Sequence, residues 1–484
     1  MLKTFLELLQ FKMNFKAISY YLSLFCFPVS FLSFVNILYS SYFDYFLNID
    51  SYTFTLVISL SISSLLYVIG RKSMKKLNFF EQILLILAVY IVSSFFISVP
   101  YYLSIYQITF VNALFESFSG ITSTGFTIFE NVKYLDPTLI LWRSSSQWIG
   151  GLYFFIFLVL IFSNKQFNYK LCYLTYSGEG SNNSENNILK LVFKVFLIYS
   201  VLSLFIFILL SFSNIRLFDT LNLSMTLVSN GGFLPTNSLN QIIKNNTQEF
   251  VLILSMLVSM LNIFFIFNIF NKKFFFREHQ EDFLLIIFFL FFSLIFFITA
   301  KNIDLPDILI NTLSSISNSG ITKSSTPGNM SLYLLLLTLI GGSLISNTSG
   351  IKLMRIYILL KSSSSEILKL VQPNYIFNRN IVYSDKKINN EDIKSSFLIF
   401  ISFFLSIFIL SGVLVIDSIN FENSFKLSIL TLTNTTNSAL YGISEMNFAN
   451  LLTTTKISLI IFMIIGKIEL ISFFLIIKKI FFRD

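Results

Sequence analysis

Apolar runs long enough to cross a bilayer recur from one end of the chain to the other, at roughly 17–42, 53–70, 82–105, 139–162, 188–213, 248–270, 283–300, 331–360, 395–416 and 452–477. Each can cross ~30 Å of hydrocarbon as a helix rising ~1.5 Å per residue. A water-soluble core cannot hide ten such segments, so the chain reads as an all-α integral membrane protein. Composition agrees: 55% of the 484 residues are hydrophobic, 12% are charged, and mean hydropathy is +0.75, outside the range of soluble domains.

An even number of spans puts both termini on one side. Alternating the connectors gives that side Arg71, Lys72, Lys75, Lys76, Lys272, Lys273, Arg277, the run from Lys352 to Lys394, and Lys478, Lys479 and Arg483. This side is therefore expected to be cytoplasmic, in a multi-pass protein of the cell inner (cytoplasmic) membrane. The opposite side collects Asp44, Asp50, Glu116, Glu130, Asp136, Asp219, Glu249, Asp304, Asp307, Asp417, Glu422 and Glu445, and an acidic outer face raises the local cation concentration. The net charge of +9 thus follows from topology, and no nucleic-acid partner is expected. Lys3, Lys12 and Lys16 precede the first span with no small-residue cleavage site, so the start reads as a cytoplasmic or interfacial helix with Met1 retained. Cys26 and Cys172 stand in or beside apolar segments, which leaves no disulfide framework or cysteine metal site. The lone histidine, His279, lies among charges in "NKKFFFREHQED" and reads as a solvated loop residue. An intramembrane enzyme, which needs a nucleophile with a base or a metal cluster, is disfavoured.

The connectors after the third, fifth, seventh and ninth spans share one layout: a short apolar-amphipathic helix candidate, a Ser/Thr/Asn-rich stretch, then a return to the membrane. They read "VNALFESFSGITSTGFTIFEN", "FDTLNLSMTLVSNGGFLPTNS", "PDILINTLSSISNSGITKSST" and "FKLSILTLTNTTNSALYGISE". Aligning Gly125, Gly232, Gly320 and Ala439 gives a fourfold repeat with offsets of 107, 88 and 119. The predicted architecture is four span–pore helix–filter loop–span repeats around one central pore, plus two extra N-terminal transmembrane helices. Its segments are 1–78, with the two extra helices; 79–170 and 171–278, repeats one and two; 279–392, repeat three with an intramembrane loop and a cytoplasmic connector; and 393–484, repeat four.

Irregular backbone at membrane depth is tolerated only inside protein or against a watery cavity. Four such loops imply a shared polar axis, where carbonyls and hydroxyls can replace the water around a monovalent cation. Glycine suits the turns, since positive φ costs a residue with a β-carbon about 1–2 kcal/mol. Each short helix would aim its partially negative C-terminus at the axis, which favours a cation.

These loops resemble the selectivity-filter segments of the Trk/Ktr/HKT potassium transporter superfamily, in the form of the Trk-type potassium uptake membrane subunit, over essentially the whole chain. Three further stretches carry the resemblance: "QWIGGLYFFIF" (147–157) is similar to the family's Q-W-[LI]-G-G-[MLI]-G segment, "GGSLISNTSGIKLMRIYILLK" (341–361) to its G-G-x-x-G-S-T-x-G-G-I-K break, and "GKIEL" (466–470) to its G-R-[LI]-E motif. The resemblance implies uptake of K+ as the transported ion, no covalently bound cofactor, a homodimer, and a cytosolic nucleotide-binding regulatory subunit. Residue by residue, it implies potassium-binding filter positions Ser123, Thr124, Gly125; Asn230, Gly231, Gly232; Asn318, Ser319, Gly320; and Asn437, Ser438, Ala439. A gate is implied at Gly341, Gly342, Ser346, Asn347, Thr348, Ser349 and Gly350, and a pore charge at Lys467, where the family has arginine.

Two departures stand out. The fourth loop carries Asn437-Ser438-Ala439 where the family shows N-x-G; plant relatives lacking one filter glycine often pass sodium, so a sodium or poorly selective monovalent cation transporter stays open beside potassium uptake. Ile345 and Ser349 stand where small or glycine residues are usual. A proton- or sodium-coupled symporter is the third reading, but the acids cluster at segment ends rather than along the path. The basic run from Lys352 to Lys394 reads first as a solvated or lipid-facing surface.

Overall fold

The structure, a computed structural model, describes residues 14–44, 48–73, 77–162, 185–271, 279–300, 303–323, 330–372, 380, 387–443 and 446–468. Lys3, Lys12, Cys172, the connector basic residues Lys75, Lys76, Lys272, Lys273 and Arg277, and everything after Ile468 lie outside the described residues.

Among the described residues sixteen α-helices follow one another: α1 (Phe15–Tyr42), α2 (Ile49–Gly70), α3 (Phe79–Tyr102), α4 (Phe110–Ile121), α5 (Pro137–Phe162), α6 (Glu185–Phe212), α7 (Leu217–Val228), α8 (Asn246–Met260), α9 (Phe264–Asn271), α10 (Gln280–Thr299), α11 (Leu305–Ile316), α12 (Ser331–Ile340), α13 (Leu353–Val371), α14 (Asn390–Ile416), α15 (Phe421–Leu432) and α16 (Thr453–Ile468). Among the described residues, six helices are long and apolar enough to cross a membrane. They are the two N-terminal helices and the first helix of every repeat. The second helices are shorter, broken, or polar on the side that meets the loops, as in the Arg143-Ser144-Ser145-Ser146-Gln147 run of α5.

Local chemistry starts several of these helices. Asn78 and Glu81 close a capping box at α3, as do Asn245 and Gln248 at α8 and Asn389 and Asp392 at α14. Pro137 opens α5, where a missing N–H costs nothing. The solvent pattern of a soluble protein is inverted. Phe27, Phe31, Leu65, Phe212 and Ile298 lie exposed on the outside, whereas Ser117, Thr226, Asn311, Thr338 and Thr433 are fully enclosed, as expected when hydrocarbon surrounds the protein and the polar axis lies within it.

Two expectations need correction. The sixth span is not one helix: it breaks between Met260 and Phe264, and Asn262 holds the break by accepting from Phe264 N (3.0 Å) and donating its own N–H to Asp282 (2.8 Å). His279 is not a solvated loop residue. It is 1% exposed, its Nδ1 pairs with Asp282 Oδ2 at 2.8 Å, its Nε2 lies 3.1 Å from Asn268 Nδ2, and its ring meets Phe265 edge-on. Neighbouring charges suggested solvent, but folding α9 back beside α10 encloses the ring.

Candidate functional site

The four short helices α4, α7, α11 and α15 are each 12 residues long and end alike. The residue after each cap, Ser123, Asn230, Asn318 or Asn434, is left-handed, with φ of 59°, 52°, 61° and 47°. Its N–H donates to the carbonyl three residues back (Gly120, Leu227, Ser315, Thr431), and the next N–H donates five residues back (Ser119, Thr226, Ser314, Leu430). This is the Schellman closure of a helix C-terminus, here with Ser or Asn where glycine is commonest. The motif sets a common register: Thr124, Gly231, Ser319 and Thr435 come next, then Gly125, Gly232, Gly320 and Thr436.

The fourth loop was therefore aligned three residues out of register on sequence. Asn434-Thr435-Thr436, not Asn437-Ser438-Ala439, occupies the place of the other three triplets. A helix-ending hydrogen-bond pattern counts from the last turn of its own helix, and the fourth loop has no glycine at that place to mark it in the sequence. Asn437 turns its amide to Ile443 O (2.7 Å), and Ala439 opens a short 3-10 turn, Ala439–Tyr441, closed by left-handed Gly442.

The four loops meet. A Cβ built on Gly125 would lie 1.9 Å from Thr436 Oγ1 and 3.0 Å from Gly232 Cα; one on Gly232 would lie 1.4 Å from Thr436 Oγ1 and 2.7 Å from Ser319 O; one on Gly320 would lie 2.4 Å from Thr436 O. Thr436 thus touches all three glycines, and its hydroxyl donates to Thr124 O at 2.9 Å. Gly125 and Gly320 also have positive φ, 80° and 66°, while Gly232 and Thr436 do not. Threonine is compatible with its backbone there; what it changes is the space between the loops.

The loops are clamped from behind. Asn230, Asn318 and Asn434 donate their side-chain amides to Ser259 O (3.2 Å), Thr338 O (2.8 Å) and Met463 O (2.9 Å), each in the second helix of its own repeat. The first loop has Ser123 instead, and its support comes from an ion pair: Arg143 Nε to Glu116 Oε1 at 2.9 Å, both fully buried, with Glu116 Oε2 accepting from Ile128 N and the guanidinium over the Phe233 ring. Gln147 accepts from Phe233 N, which ties the second loop to α5. Glu116 and Glu249, expected on the acidic outer face, are instead buried, at 0% and 6% exposure; neither Arg143 nor Glu116 stands out as a site residue on sequence, although a basic residue within an apolar run is a signal that points to the pair.

Residues 341–350 form a buried, non-helical loop between α12 and α13, turned by left-handed Gly341 (φ 69°) and Gly350 (φ 83°). It pairs with the break after α8: Ser343 N donates to Met260 O and Ile263 N to Ile345 O. Glu281 takes Leu344 N at 2.8 Å. Gly342 N donates to Thr348 Oγ1, and Ser346 Oγ lies 2.7 Å from that hydroxyl. Lys352, not foreseen as a site residue, points its ammonium back into the loop, where it meets the carbonyls of Ser343, Ser346 and Thr348. Lys467 is 1% exposed, donates to Asn347 O at 3.3 Å and lies 5.2 Å from the Phe154 ring centre. Phe154, Thr348, Lys352, Arg355, Phe403 and Lys467 are among the residues lining one cavity. Glu469 lies outside the described residues.

Residues 49–301 match the TrkH family, described as a cation transport protein. The chain is 28% identical over 406 residues to an uncharacterized cation transporter of Methanocaldococcus jannaschii, covering 81% of each. It is 24% identical over 453 residues to the Trk system potassium uptake protein TrkH of Salmonella typhimurium, covering 90% of this chain and 92% of that one. Its fold superimposes on the crystal structure of the potassium transporter TrkH from Vibrio parahaemolyticus with a TM-score of 0.83, 19% identity, and 96% and 98% coverage. The fold is that of a multi-pass membrane protein with pore-helix repeats, and the chain belongs to the TrkH family of cation transport proteins.

Proposed function

We propose that this chain carries potassium across the cytoplasmic membrane through the ring of 123–125, 230–232, 318–320 and 434–436. The reading rests on one observation above all. Four helices of equal length, ended by the same hydrogen-bond pattern, bring four loops into mutual contact at Thr436. Their carbonyl ends, each carrying about half a negative charge, favour a cation there, and ring carbonyls replace its hydration. Residues 341–350 act as the gate beneath, and Lys467, donating to Asn347 O in that loop, sets the barrier below the filter. No bond is made or broken in this scheme. In this reading both termini lie in the cytoplasm, the unit is a homodimer, and a cytosolic nucleotide-binding subunit regulates it; the resemblance to Trk-type subunits and the distribution of Lys and Arg support it.

A second reading, passage of sodium, is favoured by Thr436. A side chain with a hydroxyl stands where the other three loops have only glycine, which narrows the ring and suits a smaller ion. Uptake of potassium, rubidium and sodium into proteoliposomes decides between them, with Gly232→Asp as the dead-filter control. Potassium-selective flux lost in the control supports the first reading; equal or greater sodium flux supports the second. Absence of any cation flux, with a candidate regulatory subunit added, would overturn both.

A further inference from the structure

The intramembrane loop is bonded directly to the loops proposed as the filter. Asn347 Nδ2 donates to the carbonyl of Val228, the last residue of α7, at 3.0 Å. Ser349 Oγ donates to Asn434 Oδ1 at 2.9 Å. Asn434 is the left-handed residue of the fourth loop, and its amide nitrogen donates in turn to Thr124 Oγ1 and to Met463 O, both at 2.9 Å. Ser349, Asn434 and Thr124 are 7%, 2% and 0% exposed, so water competes little for these bonds. One planar amide therefore joins the gate loop on its oxygen side to the first filter loop on its nitrogen side. A glycine at 349, the residue of the resembled pattern, would have no hydroxyl to make the link.

We infer that the Ser349–Asn434 hydrogen bond is a latch that couples the position of the gate loop to cation occupancy of the filter. Moving the loop away leaves Asn434 Oδ1 buried with its Ser349 donor gone, which costs more than the bond itself contributes. The amide can relieve that cost only by rotating, and rotation withdraws its nitrogen from Thr124. A displaced gate loop thus loosens the first filter loop. By reciprocity, a cation that holds Thr124 and Asn434 in place favours the latched loop. Ser349 is here a positioning residue: it acts through Asn434 and does not itself contact the ion.

This inference rests on the reading of 123–125 and 434–436 as filter and 341–350 as gate, and its test separates the two. Full-length Ser349→Gly, Ser349→Ala and Ser349→Thr are compared with the parent in proteoliposomes at a series of external rubidium concentrations, and by hydrogen exchange in detergent. The glycine and alanine variants are expected to raise uptake at subsaturating rubidium about five-fold, which is about 1 kcal/mol at 1.4 kcal/mol per decade, and to weaken its dependence on concentration. Exchange should quicken both at 341–350 and at 433–436. Threonine, which retains the hydroxyl, should restore parental behaviour. The latch is overturned if the glycine and alanine variants match the parent in uptake and concentration dependence, if exchange quickens at 341–350 alone, or if threonine behaves as alanine. A folded parent that takes up no cation overturns the underlying transport reading, and the exchange result at 433–436 still decides whether the bond couples the two loops.

Discussion

Thr436 Oγ1 donates to the carbonyl of Thr124 at 2.9 Å, so the fourth loop lays a side chain across the ring and draws on a carbonyl of the first. On the filter reading proposed above, an ion entering at that level shares the Thr124 oxygen with the hydroxyl. Thr436→Gly is expected to raise the potassium-to-sodium permeability ratio roughly ten-fold, about 1.4 kcal/mol, in bi-ionic flux measurements. Thr436→Val keeps the volume without the donor and should depress flux of both ions. An unchanged ratio in the glycine variant would remove Thr436 from selectivity.

Gly320 and Gly412 form a contrasting pair. Gly320 has φ of 66°, and a Cβ on it would lie 2.4 Å from Thr436 O, whereas a Cβ on Gly412 would meet nothing within 4 Å. Gly320→Ala pays about 1–2 kcal/mol for its backbone and must also displace the fourth loop, so cation uptake should be lost. Gly412→Ala lies within a helix and should leave uptake intact while stabilising by up to about 1 kcal/mol, read as a small rise in melting temperature.

Arg143 and Glu116 are both buried, 2.9 Å apart. Removing one partner strands the other charge, so Arg143→Met is expected to cost about 3–5 kcal/mol and to appear as a large drop in thermal stability. Arg143→Met combined with Glu116→Gln should recover most of that loss, because no unpaired charge remains. If the double variant is as unstable as the single, burial of an unpaired charge is not the cause.

Asp282 holds Asn262 N on one oxygen and His279 on the other. Asp282→Ala leaves Asn262 N without that acceptor, at a cost of about 1–3 kcal/mol. The effect should be local: faster hydrogen exchange at 260–264 and at 343–345, which those residues pair with, and a smaller change in global melting. A uniform change across the chain would show that the break at 261–263 does not depend on Asp282.

Much of this arrangement was legible in the chain itself. Span length is a property of consecutive residues, so runs such as 82–105 and 395–416 lie within a few residues of their helices. The repeat of helix followed by hydroxyl-rich loop is also local, and Gly125, Gly232 and Gly320 stand at equivalent positions after α4, α7 and α11. The fourth failed because the defining feature is a left-handed residue at the end of a helix, which asparagine fills as well as glycine. His279 failed for a different reason: its neighbours in sequence are charged, but its neighbours in space are Asp282, Asn268 and Phe265.

By itself, then, the sequence determined the membrane class, the order of helices and the existence of four polar loops, because hydrophobic length and turn chemistry act over a few residues. Only the tertiary structure decided which residue faces which across the axis. Thr436 on Thr124 and Ser349 on Asn434 are separated by 312 and 85 positions, and no local propensity specifies them. They arise where helices packed around one axis bring their polar ends together, away from hydrocarbon that offers them no partner.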